Sequence, residues 1–450
     1  MSEERDNVGK IEVISKTAGS IEMIVTSHAM TVDDGKIEEL EIADTSKLDI
    51  RTKKQKSTER IHCSALCLGN FIFGWNDGST GPLLPRIQET YHVGFTVVSL
   101  IFIFACVGII CGALVNVYLT DRLGFGRIIA LGAALQVIAY ALESSGSPFP
   151  VFVMAFAING CGNGLQGAQA NAFIASLKHN SEAKMGLLHA AYGAGALTAP
   201  LIATQFAQLP HWSFHYLVSV GIAFCNVILL LVVFRFKTRE ECFSMFGQKA
   251  TESGEDEQSS LKRILRAKAV HFLAFFVLAY VGVEVTIGGW IVTFMLNVRG
   301  GGPSAGYISS GFFGGLMLGR VLLLWVNKKL GERLAIYLYT LLCIGLEIVV
   351  WLAPSLIGGA VAVSFVGLFL GPMFPIAMIH AGRILPKWLL TGSIGWIAGF
   401  GSAGSAAVPF LTGAISSKHG IQSLQPLLIA MMGCMLILWY IVPSNSKRSD

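Results

Sequence analysis

The chain has 450 residues, of which 53% are hydrophobic and only 14% charged, and its mean hydropathy is +0.62. Soluble domains carry about a quarter charged residues, so these totals exclude a soluble globular protein and indicate a polytopic membrane protein. The net charge of +5 resolves into an acidic tail and basic loops, a matter of topology, and no nucleic-acid partner is expected.

Residues 1–60 mix acids and bases, hold few aromatics and end in the basic cluster Arg51 to Lys56 and Arg60, which reads as a disordered cytoplasmic tail. The opening residues contain no apolar core of the length a cleavable signal peptide needs, so none is expected. Twelve apolar runs follow, each close to the ~20 residues a membrane span requires. They lie at 62–84, 97–119, 126–145, 150–176, 185–208 and 213–234, then at 269–297, 304–327, 333–352, 356–381, 388–416 and 424–442. The expected fold is therefore all-α, with twelve transmembrane helices in two pseudo-symmetric six-helix bundles, 61–234 and 269–443, and a short cytoplasmic tail at 444–450. The connector at 235–268 holds an acidic patch, Glu252 to Glu257, and a basic segment, Lys262 to Lys268, that suits a helix lying on lipid headgroups.

Lysine and arginine crowd one set of loops, among them Arg122, Arg127, Lys178, Lys184, Lys328, Lys329, Arg333, Arg383 and Lys387, whereas the other set holds only Arg86, Arg299 and Lys418. Basic loops stay inside, so both termini are expected in the cytoplasm. The nine cysteines fall almost wholly within apolar runs, form no metal spacing and read as small buried apolar residues.

The first span carries an acid, Asp77, about halfway along. A carboxylate there costs roughly 2.5 kcal/mol or more on insertion scales, and such residues usually face a polar cavity. Asn70, Gly74, Asp77 and Gly81 share one helical face, with Asn76 beside it. The shift of 207 residues that carries Asp77 onto Glu284 also carries Gly81 to Gly288, Gly108 to Gly315, Gly112 to Gly319 and Gly124 to Gly331. Two related halves each place an acid in their first span, and the pair are the candidate proton-coupling residues.

The fourth span is rich in amides: Asn159, Asn163 and Gln166 share a face, with Gln169 at its edge. Amides both donate and accept hydrogen bonds, which suits a hydroxyl-rich solute, although amides in membranes also bond helix to helix. Gly162 to Gly167 matches the spacing of a dinucleotide fingerprint, but no strand precedes it, and no cofactor is expected. In the fifth span Tyr192 shares a face with His189, the latter read as a packing histidine. In the seventh, Tyr280 stands four residues before Glu284, and Trp290 is either a stacking platform for a sugar or an interfacial anchor. Arg320, late in the eighth span, reads as a snorkelling anchor, with the role of counter-ion to a buried acid as the alternative.

The loop after the second span, with Asp121, Arg122, Gly124, Gly126 and Arg127, resembles the signature loop of the major facilitator superfamily, and the second half echoes it weakly at Lys328 to Arg333. Asn116 stands where the family has its leading glycine, and Lys328 where it has the second-half acid. The resemblance implies that Asp121, Arg122 and Arg127 form a gating latch against the opposite half. Within the superfamily, the stretch from Asn76 to Pro85 resembles the fucose/glucose proton-symporter branch and its fungal relatives, the bypass-of-stop-codon proteins, which implies a fungal origin. That branch pairs its first-span carboxylate with another in the fourth span, where this chain has no acid.

The function expected is proton-coupled alternating access by a small polar solute, most simply a sugar or related polyhydroxy compound, in a monomer residing in the plasma membrane. A drug or lipid exporter and a non-transporting nutrient sensor on the same scaffold are the alternatives. Neither H-E-x-x-H nor G-x-S-x-G occurs, and no enzyme activity is expected.

Overall fold

The computed structural model describes residues 51–248 and 263–443, so the tail before Arg51, the acidic patch at Glu252 to Glu257 and the segment 444–450 lie outside the described residues. Six spans come first: Lys53–Tyr91, Leu100–Leu123, Phe125–Ser144, Phe149–Ala175, Ser181–Ala207 and His215–Phe234. The second half runs Lys268–Arg299; Tyr307–Leu322, bent 56° into Leu324–Leu330; Glu332–Leu352; Leu356–Leu370 followed by Met373–Ile384; Lys387–His419; and Leu424–Ile441.

Among the described residues nine helices are long and apolar enough to cross a membrane, and the bent pair makes ten. The two that complete the twelve, Lys53–Tyr91 and Phe149–Ala175, are those whose apolar runs are interrupted by Asn70, Asn76 and Asp77 and by Asn159, Asn163, Gln166 and Gln169. Polarity concentrated in two spans of one half is what depresses their hydropathy.

The first helix begins at Lys53, inside the stretch expected as tail. Thr52 caps it by accepting from the Gln55 backbone amide while the Gln55 side chain accepts from the Thr52 backbone amide. Glu59 is buried there, ion-paired to both Arg51 and Lys184, which ties this turn to the start of the fifth span. The connector likewise starts as structure. Thr238 and Glu241 form a second capping box for the helix Arg239–Met245, and Cys242, Phe243 and Phe246 bury against Phe173 and Phe234. Burial pushes the Cys242 thiol up to about 12, as befits a packing residue.

Helix contacts repeat between the halves as the sequence does. A Cβ built on Gly108 would lie 2.0 Å from the Ala157 carbonyl oxygen, and one on Gly315 would lie 2.1 Å from that of Ser364. Both members of each contact are related by the 207-residue shift, so the crossing of the second and fourth spans recurs as that of the eighth and tenth. Small residues let backbones approach this closely, and van der Waals contact then holds helices together in lipid. Gly124 and Gly331, each between two spans, adopt the same backbone conformation, φ 74°, ψ 166° and φ 78°, ψ 154°, a region open essentially to glycine alone.

The halves meet at the end remote from the connector. There Thr96 pairs with Ser417 at 2.8 Å, Gln208 donates to the Pro303 carbonyl at 3.2 Å, and Gln205 bonds Tyr307. At the connector end the second span packs on the fourth span by one face only. Ala113, Leu114, Val115, Val117 and Tyr118 cover about half of its circumference and all are exposed, while the opposite face, with Gly112 and Asn116, packs on the fourth span.

Candidate functional site

A cavity lies between the halves. Its polar wall comes from Asn76, Asp77 and Thr80 of the first span, Tyr192 of the fifth and Glu284 of the seventh. Phe102, Phe156 and Phe313 contribute the apolar wall. Two acids from equivalent positions meet here because the first and seventh spans approach closely: a Cβ on Gly81 would lie 2.2 Å from the Gly288 carbonyl oxygen. Those glycines each follow an acid by one helical turn, so the crossing presents Asp77 and Glu284 to one space.

Tyr192 donates a hydrogen bond to Asp77 Oδ2 at 2.8 Å. Glu284, nearly buried, has Arg320 as its partner, the Arg320 Nη2 to Glu284 Oε1 distance being 3.9 Å. Of the two roles the sequence leaves open for Arg320, anchor or counter-ion, the structure shows the second: it points into the half and also donates from Nε to the Gly371 carbonyl at 3.4 Å. No spacing rule links an arginine late in one helix to an acid in the middle of another. Tyr280 is buried beside this pair, one turn before Glu284.

Most of the fourth-span amides are engaged away from the cavity. Asn159 donates to Asn76 Oδ1 at 2.8 Å and so supports the cavity wall from behind. Asn163 accepts from Gln136 at 2.6 Å, Gln166 donates to Gln136 at 2.6 Å and accepts from Asn226 at 3.1 Å, and Gln169 donates to Asn116 and Thr120, each at 2.8 Å. Asn70 donates to the Leu188 carbonyl at 3.0 Å. These are helix-to-helix bonds within the first half. Gln136 and Asn226, isolated polar residues in apolar spans, were the sequence signal for them. Trp290 is fully buried, donates to the Pro409 carbonyl at 3.1 Å and packs behind Phe102, outside the cavity lining. Trp75 stacks on His215 with ring centroids 5.5 Å apart and donates to Ser219, a core arrangement.

Of the latch residues, Asp121 and Arg127 are exposed and have no ion pair among the described residues, while Arg122 lies over the Tyr118 ring at 4.3 Å. Among the described residues Asp121 has nothing opposite to engage at this end.

Comparisons with known proteins follow the same outline. The chain is 28% identical to Bypass of stop codon protein 6 of Saccharomyces cerevisiae over 413 residues, 85% of this chain and 83% of the yeast protein. It is 26% identical to a glucose/mannose transporter of Bacillus subtilis over 341 residues, 74% of this chain and 83% of that protein. Among solved structures it superposes on a D-xylose-proton symporter with a TM-score of 0.71 at 14% identity, covering 86% of this chain and 98% of the symporter. The Escherichia coli fucose:proton symporter gives 0.61 at 16% identity, over 87% of this chain and 100% of that one. The profile described as Major Facilitator Superfamily matches residues 66–366, two acids, latch loop and inter-half cavity included, and the chain belongs to that superfamily of membrane transporters.

Proposed function

We propose that the protein moves a sugar or related polyhydroxy compound across the membrane coupled to protons, by alternating access, with Asp77 as the proton carrier. The observation that carries this reading is the cavity between the halves, where Asp77 accepts from Tyr192 beside Glu284 and faces three phenyl rings. Hydroxyl groups of a sugar find donors and acceptors in Asn76, Thr80 and Tyr192, and its C–H face finds the apolar wall. Asn159 holds Asn76 in place; Asn70, Asn163, Gln166, Gln169, Tyr280 and Trp290 keep each half rigid as it rocks. The similarity to a glucose/mannose transporter and to two sugar-proton symporters supports the solute class.

With basic loops inside, the open end is cytoplasmic and the seam at Thr96, Gln205 and Gln208 is the closed outer gate. Closure of the cytoplasmic end then brings Asp121, Arg122 and Arg127 against the second half, where the acid can accept from a helix N-terminus. Asp77→Asn mimics the protonated carrier permanently. In proteoliposomes the variant is expected to bind and exchange solute while losing accumulation against a gradient. Full proton-driven accumulation by well-folded Asp77→Asn overturns the assignment. A thermal-stabilisation panel of sugars, amino acids and drugs tests the solute class, and stabilisation by apolar drugs alone favours an exporter.

A further inference from the structure

We propose that Arg320 holds Glu284 as a fixed anion, so that Glu284 carries no coupled proton and the cavity moves one proton, on Asp77, per solute. The two acids occupy equivalent positions in the repeat, yet their surroundings differ. Asp77 has a neutral phenol as its hydrogen-bond donor. Glu284 has a guanidinium 3.9 Å away, and both side chains are withdrawn from solvent, 21% and 10% exposed. A guanidinium stays charged in proteins, and a lone charge within the membrane is costly, so each member of the pair is the other's compensation. Among the described residues no other carboxylate pairs with Arg320; its other neighbours, the Gly371 carbonyl and the Tyr280 phenol, are neutral. The titratable and charged groups around the pair are Asp77, Tyr192, Tyr280 and, on the Arg320 side, His189. None supplies a positive charge that replaces Arg320 when His189 is neutral. The repeat equivalent of Arg320 in the first half is Ala113, and among the described residues Asp77 has no ion pair. An arginine in one half only has thus split two equivalent acids into one that exchanges a proton and one that does not.

This inference rests on the proton-coupled reading above, and its test is chosen to fail separately from it. Difference infrared spectra of the purified full-length protein, titrated across the neutral range without solute, report protonated carboxyl groups directly. Over the constant bands of the fully buried Glu143 and Glu347, the native protein is expected to show one further carboxyl band that vanishes in Asp77→Asn and persists in Glu284→Gln. Arg320→Met is expected to gain a second such band that vanishes in the Arg320→Met/Glu284→Gln double variant, while Arg320→Lys retains the native spectrum. In proteoliposomes with D-glucose, Arg320→Met is expected to double the proton-to-sugar ratio. Loss of the further native band in Glu284→Gln overturns the proposal, as does an Arg320→Met spectrum identical to the native one. Absence of D-glucose uptake alongside the expected spectra counts against the transport reading and leaves the Arg320 assignment standing.

Discussion

At the scale of single residues, the polar side chains of this chain divide by what satisfies them. Gln136 is fully buried and uses both ends of its amide, donating to Asn163 and accepting from Gln166. Removing one partner from a buried hydrogen bond costs about 1–3 kcal/mol because the other is left unsatisfied. Gln136→Leu is therefore expected to destabilise the protein by about that amount, read as a lower unfolding temperature in detergent, with solute affinity changed by less than about threefold because the network lies behind the cavity. Tyr192→Phe predicts the opposite pattern. It removes a hydrogen bond to a carboxylate in the cavity wall, of a kind worth about 1.5–3 kcal/mol. Solute affinity or the proton dependence of uptake is expected to shift by roughly 10- to 100-fold while the unfolding temperature holds. A large affinity loss in Gln136→Leu with normal stability contradicts the division.

At the scale of elements, the crossing of the first and seventh spans makes a sharper demand. Gly81 and Gly288 are equivalent in the repeat, but a Cβ on Gly81 meets the Gly288 backbone carbonyl at 2.2 Å, across the two halves. One on Gly288 meets the edge of the Phe313 ring at 2.8 Å, within its own half. A ring can turn aside; a helix backbone at a packed crossing has to separate. Gly81→Ala is expected to hold the outer gate apart and to raise labelling of an engineered cysteine at Thr96 by an impermeant reagent several-fold, with net transport lost. Gly288→Ala is expected to retain transport with altered affinity, through displaced Phe313. Equal effects of the two variants contradict the proposed asymmetry. The neutral hydrogen bonds of this gate, Thr96 to Ser417 and Gln208 to Pro303, carry no desolvated charge and so open without leaving an ion unpaired.

At the scale of the whole molecule, the halves are joined at one end and apart at the other, and the proposed latch therefore belongs to the other state. Asp121 has no ion pair among the described residues, so on the proposed reading Asp121→Asn leaves this form untouched and weakens the form closed at the connector end. A charge-assisted hydrogen bond worth about 1.5–3 kcal/mol corresponds to a shift of roughly 10- to 100-fold in the ratio of the two forms. Cysteines placed in the connector-side opening, His189→Cys among them, are expected to label faster in the Asp121→Asn background, and transport is expected to slow. Unchanged labelling and unchanged transport show that the loop is only a set of positive-inside anchors.

The sequence by itself determined the twelve spans, the two-half repeat, the membrane class and the presence of an acid at equivalent places in both halves. These follow from local rules: length and hydropathy set a span, helical spacing sets a face, and repeated glycines mark the contacts and turns that recur, as at Gly108 and Gly315 or Gly124 and Gly331. Tertiary structure alone decided what each polar group meets. An amide on the fourth span has the same donors and acceptors whether it faces a solute or a neighbouring helix, and only packing turned Asn163 and Gln166 toward Gln136 while leaving Asn76 and Tyr192 at the cavity. Arg320 reached Glu284 because the seventh and eighth spans set their relative height, and the start of the first helix at Lys53 was decided by the Thr52 cap together with burial of Glu59 against Lys184 of the fifth span. Periodicity orders residues along one helix; the register between helices, which chooses partners, arises from contacts far apart in the chain.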